Sequence, residues 1–80
     1  MKINHQIIGY DRDTDDLAVE YDIPPACLDQ VGAVIGIAPE DPQLVGSYPL
    51  IPDQVRRIAK ILRRQIDSEK FDFFIEPYAD

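Results

Sequence analysis

Residues 10–25 read YDRDTDDLAVEYDIPP, and this stretch decides the fold of the chain. In its second half, large apolar residues alternate with small or charged ones, which is the period of a half-buried β-strand with one apolar face. The alternating apolar residues are Leu17, Val19, Tyr21 and Ile23. Residues 5–11, HQIIGYD, predict the partner strand of a β-hairpin, and Gly9 within them indicates a bulge or a close backbone approach.

The connection between these two strands is rich in acids, and two interpretations of it are open. As a calcium loop, Asp11, Asp13 and Asp15 take the first, third and fifth positions of the EF-hand pattern, and Asp22 takes the twelfth. Against this, Asp16 stands where the loop requires glycine, and the twelfth residue is shorter than the usual Glu. The Pro-Pro pair at 24–25 also excludes a helix directly after the loop.

As a hairpin turn, the same stretch needs no metal ion. Asp11 would accept backbone N–H groups of the turn, and Thr14 would do likewise through its hydroxyl. Asp15 sits where a residue with positive φ would close the loop, which Asp tolerates better than most residues. Tyr10 and Leu17 would then stand near each other where the strands pair. The sequence favours the hairpin, because the strand period begins directly after the acids.

Two helices are predicted after the hairpin. Residues 25–35 favour a short helix that begins with proline and ends before Gly36. Residues 37–51 contain three prolines and a glycine and are expected to form a loop. Residues 52–66, PDQVRRIAKILRRQI, predict a second helix with one apolar side and one basic side. The apolar side carries Val55, Ile58, Ala59, Leu62 and Ile66, and the basic side carries Arg56, Arg57, Lys60, Arg63 and Arg64.

The last predicted element is a third strand at residues 71–76, FDFFIE, which Pro77 ends. The expected fold class is therefore α+β with the element order ββααβ, a small three-stranded sheet with two helices packed on one face. Residues 1–80 are expected to form one domain. The residues expected to meet in the core are Leu17, Val19, Tyr21, Phe71 and Phe73 from the sheet and Ile58, Leu62 and Ile66 from the second helix.

Composition narrows the class of protein. The chain is 45% hydrophobic and 29% charged, which are ordinary values for a globular domain. Cys27 is the one cysteine and His5 the one histidine, so no intrachain disulfide, zinc cluster or bound cofactor is expected. No apolar run is long enough for a signal peptide or a membrane span, and we expect a cytoplasmic protein with no membrane partner.

Charge is distributed unevenly along the chain. Residues 1–51 carry nine acids and two bases, residues 52–66 one acid and five bases, and residues 67–80 five acids and one base, which gives −7 + 4 − 4 = −7. A negative net charge disfavours nucleic acid and favours a basic partner. The basic helix side is either a secondary binding surface or a solvated face balanced by the protein's own acids.

An enzyme is not expected, and no catalytic or metal-binding residue is assigned. Cys27 is interpreted as a small buried hydrophobe, and exposed acids on a turn lack a cause for the shifted pKa that acid–base catalysis needs. Ile8 and Phe74 point away from the predicted core. They predict an apolar patch for a partner or a homodimer on the outer side of the sheet, unless Tyr78 folds back over them.

Several motifs together resemble a family of small uncharacterised bacterial cytoplasmic proteins. The matching segments are GYDRDTDDLAVEYDIP, which fits a YDxxTxxLxxEYxxP hairpin, then the DP loop after VIG, the helix start YPLIPDQ and the aromatic strand FDFFIE. Ile51 stands where such a helix normally has a Thr cap. Proteins of this kind are also similar to bacterial immunity proteins in size and acidity, and the resemblance carries no catalytic signature.

The sequence leaves two hypotheses about function open. The first is a non-catalytic protein-binding module, an acidic immunity protein that neutralises a basic toxin domain. Its partner-binding residues would be Asp11, Asp13, Asp15, Asp16 and Glu20, which mimic phosphates and steer association. The alternative is an ion- or ligand-binding accessory domain that uses the acidic hairpin Asp11–Asp16.

Overall fold

The computed structural model describes residues 3–36 and 44–79. They form a four-stranded antiparallel sheet and two short helices, an α+β fold. The elements are β1 (Ile3–Asp11), β2 (Leu17–Ile23), α1 (Leu28–Ile35), β3 (Tyr48–Leu50), α2 (Pro52–Leu62) and β4 (Phe71–Ala79), with a 3-10 turn at Pro25–Cys27 before α1. The strand order in the sheet is β2-β1-β4-β3. No helix among these residues is long and apolar enough to cross a membrane.

The prediction of a three-stranded sheet with order ββααβ is wrong, because a fourth strand lies between the helices. Tyr48, Pro49 and Leu50 pair with Ile75, Phe74 and Phe73 of β4. Three residues are too few to show a period of two, and the central proline argues against a strand except at the edge of a sheet, where this one lies. The earlier part of the predicted loop, residues 37–43, lies outside the described residues.

Strand β4 is longer than predicted, since it continues through Pro77 to Ala79. Pro77 lies opposite His5 of β1. On its other side, β4 is paired with β3 from Phe73 to Ile75, so Pro77 lies beyond the end of β3. A proline is tolerated where one side of its strand has no paired strand, because no backbone N–H is then needed on that side.

Helix α2 is shorter than predicted and ends at Leu62 instead of residue 66. Arg63 adopts the left-handed conformation with φ 56°. Its N–H donates to the Lys60 carbonyl at 3.2 Å, and the Arg64 N–H donates to the Ala59 carbonyl at 3.0 Å. This pair of bonds is the Schellman ending, which usually has glycine in the left-handed position. The sequence carries no glycine there to mark the stop.

One face of the sheet, called the core face, packs on both helices. The central cluster of buried residues comprises Ile7, Ile23, Val31, Leu44, Leu50, Val55, Ile58, Phe73 and Ile75. Val19, Tyr21, Phe71, Leu62 and Ile66 pack against this cluster, as predicted.

Leu17 is the exception among the predicted core residues, since it is 49% exposed. The pairing of β1 with β2 shifts between Gly9 opposite Val19 and Tyr10 opposite Leu17, which leaves Ala18 as an extra residue. Such a bulge turns the next residue to the other face of the sheet. Leu17 therefore stands beside Tyr10, as the hairpin interpretation predicted, on the face away from the helices.

The start of α2 offers a test by stability. Ile51 precedes the helix and is 61% exposed, and its N–H donates to Gln54 Oε1 at 2.9 Å. This is half of a capping box, and the other half needs an oxygen on the side chain of residue 51. We expect Ile51→Thr to raise the free energy of unfolding by about 1 kcal/mol in urea denaturation. Ile51→Val is the matched control, because valine has the shape of threonine without the oxygen; equal stability of the two variants would contradict the prediction.

Candidate protein-binding surface

The acidic stretch between β1 and β2 is a hairpin turn fixed by its own side chains. The Asp11 carboxylate accepts the N–H groups of Asp13 at 2.8 Å and Thr14 at 3.2 Å, and the Thr14 hydroxyl accepts the N–H of Asp16 at 3.3 Å. Asp15 has φ 60° and donates its N–H to the Asp11 carbonyl at 2.8 Å. The three roles predicted for Asp11, Thr14 and Asp15 are confirmed.

This geometry divides the predicted partner-binding acids into two groups. Asp11 uses one carboxylate oxygen to hold the turn. Asp13, Asp15, Asp16 and Glu20 are exposed and project their charges into solvent. Among the described residues, no group of three or more His, Cys, Asp or Glu side chains is arranged to hold a metal ion. The ion-binding alternative stays a prediction with no structural observation in its favour.

Arg12 connects the turn to the start of β4. Its Nε donates to Asp72 Oδ1 at 3.2 Å, and one of its terminal nitrogens donates to the Phe71 carbonyl at 3.4 Å. Both charged side chains are about half exposed, at 50% and 55%, so the ion pair contributes little stability. Its effect is positional, because it holds the acidic turn beside the outer face of the sheet.

The outer face, defined as the side of the sheet opposite the core face, has an aromatic centre. Residues directly opposite in an antiparallel pair share a face, and Ile8 lies opposite Glu20 in β2 and Phe74 in β4. Tyr10 stacks edge-on against Phe74 with ring centroids 5.8 Å apart. Both rings are half-buried, and Ile8 between its neighbours is 3% exposed. A contact here would therefore be made by the rings and Leu17 rather than by Ile8.

Tyr78 does fold across the outer face, but at its far end. Its hydroxyl donates to Asp22 Oδ1 at 3.0 Å, so the side chain reaches from β4 over β1 to β2. Four residues along a strand span roughly 13 Å, which places Tyr78 too far from Phe74 to cover it. Val31, Val55 and Ile58 pack both helices on the core face, so no described helix lies over the outer one.

Comparison with known proteins gives one match. The family model for the domain of unknown function DUF7683 matches residues 5–76. The chain belongs to this family. A search of curated proteins and a search of solved structures found no match. Membership confirms the expectation of an uncharacterised family.

Further acids of this DUF7683 domain lie on the outer face and were not among the predicted partner-binding residues. By register they are Asp22, Asp72 and Glu76, which join Glu20 around the aromatic centre. Asp22 and Asp72 are exposed, and Glu76 accepts the Ser47 hydroxyl at 3.0 Å. Strand alternation places Asp72 and Glu76 on the face of Phe74, so the period of two was a usable signal for them.

The basic side of α2 is less uniform than predicted, because the helix ends before Arg63. Arg56 lies 3.7 Å from Asp53 and donates to the Ser68 hydroxyl at 3.4 Å. Arg64 lies beyond the end of the helix, and its guanidinium stands 5.8 Å from the centre of the Tyr21 ring. Arg57, Lys60 and Arg63 are exposed. The five cations therefore do not form one stripe.

Cys27 and His5 both contact the core of the fold. Cys27 is half-buried and packs against the core cluster, as a small hydrophobe does. His5 is 5% exposed, and its Nε2–H donates to the Leu44 carbonyl at 2.9 Å. That bond connects β1 to the segment before β3.

Proposed function

We propose that this domain is a non-catalytic protein-binding module that takes a basic partner on its outer face and acidic turn. The observation that supports this most is the composition of the outer face. The Tyr10–Phe74 pair lies at its centre, and Glu20, Asp22, Asp72 and Glu76 lie around it. Beyond Arg12, the same surface continues into the exposed acids of the turn.

An aromatic centre with a charged rim is the usual anatomy of a protein interface. Tyrosine and other aromatic residues supply most of the contact energy, while rim charges set the association rate and exclude wrong partners. Opposite charges would attract a basic partner from a distance of about 10 Å at moderate salt. A second copy of the chain would instead place the rim carboxylates against one another, so a basic partner is favoured over a homodimer.

The finer proposal is an immunity protein in the bacterial cytoplasm that neutralises a basic toxin domain. A nuclease binds phosphates with cations, and carboxylates presented on a rigid turn occupy the same cations. Asp13, Asp15, Asp16 and Glu20 present such charges here, and Asp11 keeps the turn rigid. The net charge of −7 suits this role. The support for this finer proposal is the charge of these residues and their exposure on the turn and on β2.

Charge reversal at the turn tests the proposal. The side chains of Asp13, Asp16 and Glu20 are exposed, so Lys at these three positions should leave the bonds of Asp11 and Thr14 intact. We expect the wild-type domain to retain a basic polypeptide from its host, identified by mass spectrometry, and the reversed variant to lose it. Retention should fall as salt rises from about 0.05 M to about 0.5 M.

The matched control reverses three exposed acids that belong neither to the sheet nor to the acidic turn, Asp29, Asp53 and Glu69, and changes the net charge equally. It should retain the partner. Equal loss in both variants would show general charge attraction and contradict a defined surface. The immunity function is then tested separately: the retained polypeptide, expressed alone, should arrest growth, and the wild-type domain should restore it. A harmless polypeptide would contradict the immunity function and leave the binding module standing.

A further inference from the structure

An open depression lies where the end of α2 meets the chain that follows it. Its volume is about 580 Å³. Arg56, Lys60 and Arg64 line it, with Ala59 and Ile66 supplying apolar surface. Gln65 and Asp67 complete the lining. Among these described lining residues three are basic and one, Asp67, is acidic. This depression, called the basic pocket, is a concentration of positive charge in a chain of net charge −7.

The ending of α2 creates the basic pocket. Arg56 and Lys60 lie one helical turn apart on the same side of α2. The left-handed residue Arg63 then reverses the chain, and the bond from the Arg64 N–H to the Ala59 carbonyl holds the reversal. As a result, a third cation from outside the helix lines the same space. A left-handed residue other than glycine costs about 1 kcal/mol or more, so this reversal is maintained against strain.

Neutral groups hold two of these cations in place. The guanidinium of Arg64 stands over the Tyr21 ring, and Arg56 donates to the hydroxyl of Ser68, which is 9% exposed. A ring face and a hydroxyl orient a guanidinium without cancelling its charge. The Asp53 carboxylate near Arg56 is well exposed, at 62%, and screens it weakly. The cations are therefore positioned and remain available to an anion.

We propose that the basic pocket binds the phosphate group of a small phosphorylated ligand. Two guanidinium groups and one ammonium around one space match the charge and the several acceptor oxygens of a phosphate. The apolar surface from Ala59 and Ile66 would contact the rest of the ligand. The proposal is independent of the protein-binding function, because the basic pocket uses residues of α2 and the following segment and none of the outer-face acids.

Titration with inorganic phosphate tests the site in the full chain. Backbone and arginine side-chain NMR shifts of labelled protein are followed while chloride keeps the ionic strength constant. We expect saturable shifts centred on Arg56, Lys60, Arg64 and Gln65. Lys60→Gln should weaken binding about tenfold, the loss of one charge-assisted hydrogen bond. Arg57→Gln removes the same charge from the same helix outside the pocket lining and should leave the affinity unchanged.

Three results would overturn the site. Linear shifts without saturation would show an adventitious ion only, and equal weakening by Lys60→Gln and Arg57→Gln would show charge attraction without a pocket. Tighter binding of hexaglutamate than of phosphate would assign the pocket to an acidic peptide instead. Circular dichroism of both variants should match the wild type, since both positions are exposed in α2 and glutamine is a good helix former.

Discussion

Replacing Gly9 with alanine is expected to destabilise this domain by about 1–3 kcal/mol, a large share of the stability of so short a chain. A Cβ at position 9 would lie 2.8 Å from Val19 Cγ2, 3.0 Å from Phe73 Cε1 and 3.1 Å from Phe71 Cβ. All three distances are shorter than ordinary van der Waals contact, and all three neighbours belong to the strands paired with β1, which cannot move apart separately. Urea denaturation and the melting temperature measure the loss.

The magnitude reflects two opposing effects. Alanine restricts the unfolded chain, which stabilises a protein by about 0.4–1 kcal/mol where the native backbone accepts it. Gly9 does not have a positive φ, unlike Gly36, so its requirement for glycine is one of space and not of backbone angle. The steric term must therefore exceed the entropic gain, and a net loss near the middle of the range is expected.

A double-mutant cycle separates this cause from a general weakness of the strand. Val19→Ala removes the atom that approaches closest to the new methyl group. Gly9→Ala should cost clearly less in that background than in the wild type, although the two phenylalanine contacts remain. If the two losses simply added, crowding against Val19 would be refuted as the cause of the loss.

The hairpin could be predicted because its chemistry is local. The acceptor at Asp11, the hydroxyl at Thr14 and the positive φ at Asp15 depend on residues within five positions of one another. The interruption predicted at Gly9 is also present, both as a register shift and as a close approach. Short-range turn rules therefore sufficed for the part of the chain that carries the acids.

Non-local contacts account for what could not be predicted. Strand β3 forms because it pairs with β4, whose residues lie more than twenty positions away in sequence. Its own three residues are too few to show the period of a strand. Arg63 ends α2 in a left-handed conformation that glycine usually signals, and without a glycine the apolar period predicted a helix through residue 66. In each case tertiary pairing or the closing bonds of the helix outweighed local propensity.

The candidate surface was likewise predictable only where it depends on local sequence. The sequence identified the turn acids, but the bulge at Ala18 moved Leu17 to the outer face, and strand pairing placed Asp22, Asp72 and Glu76 there. Alternation within one strand predicts which side chains share its face, whereas register across strands decides which of them become neighbours. The proposed interface therefore required the sheet order as well as the period.

His5→Leu is expected to destabilise the domain by about 1–3 kcal/mol, because it leaves a buried carbonyl without its donor. His5 Nε2–H donates to the Leu44 carbonyl at 2.9 Å, and both residues are buried, at 5% and 2% exposure. Leu44 has φ 53°, which is unfavourable for leucine and needs surrounding contacts to maintain it. Losing the bond should thus release residues 44–47 before the sheet unfolds.

His5→Gln is the control that decides between hydrogen bonding and packing, because the glutamine amide can donate to the same carbonyl while lacking the imidazole ring. We expect Gln to recover at least half of the stability lost with Leu, measured by urea denaturation. Hydrogen exchange should report slow amides at residues 45–47 for wild type and Gln and faster ones for Leu. Equal losses for Gln and Leu would attribute the effect to the volume of the ring, and the bond to Leu44 would then have no measurable role.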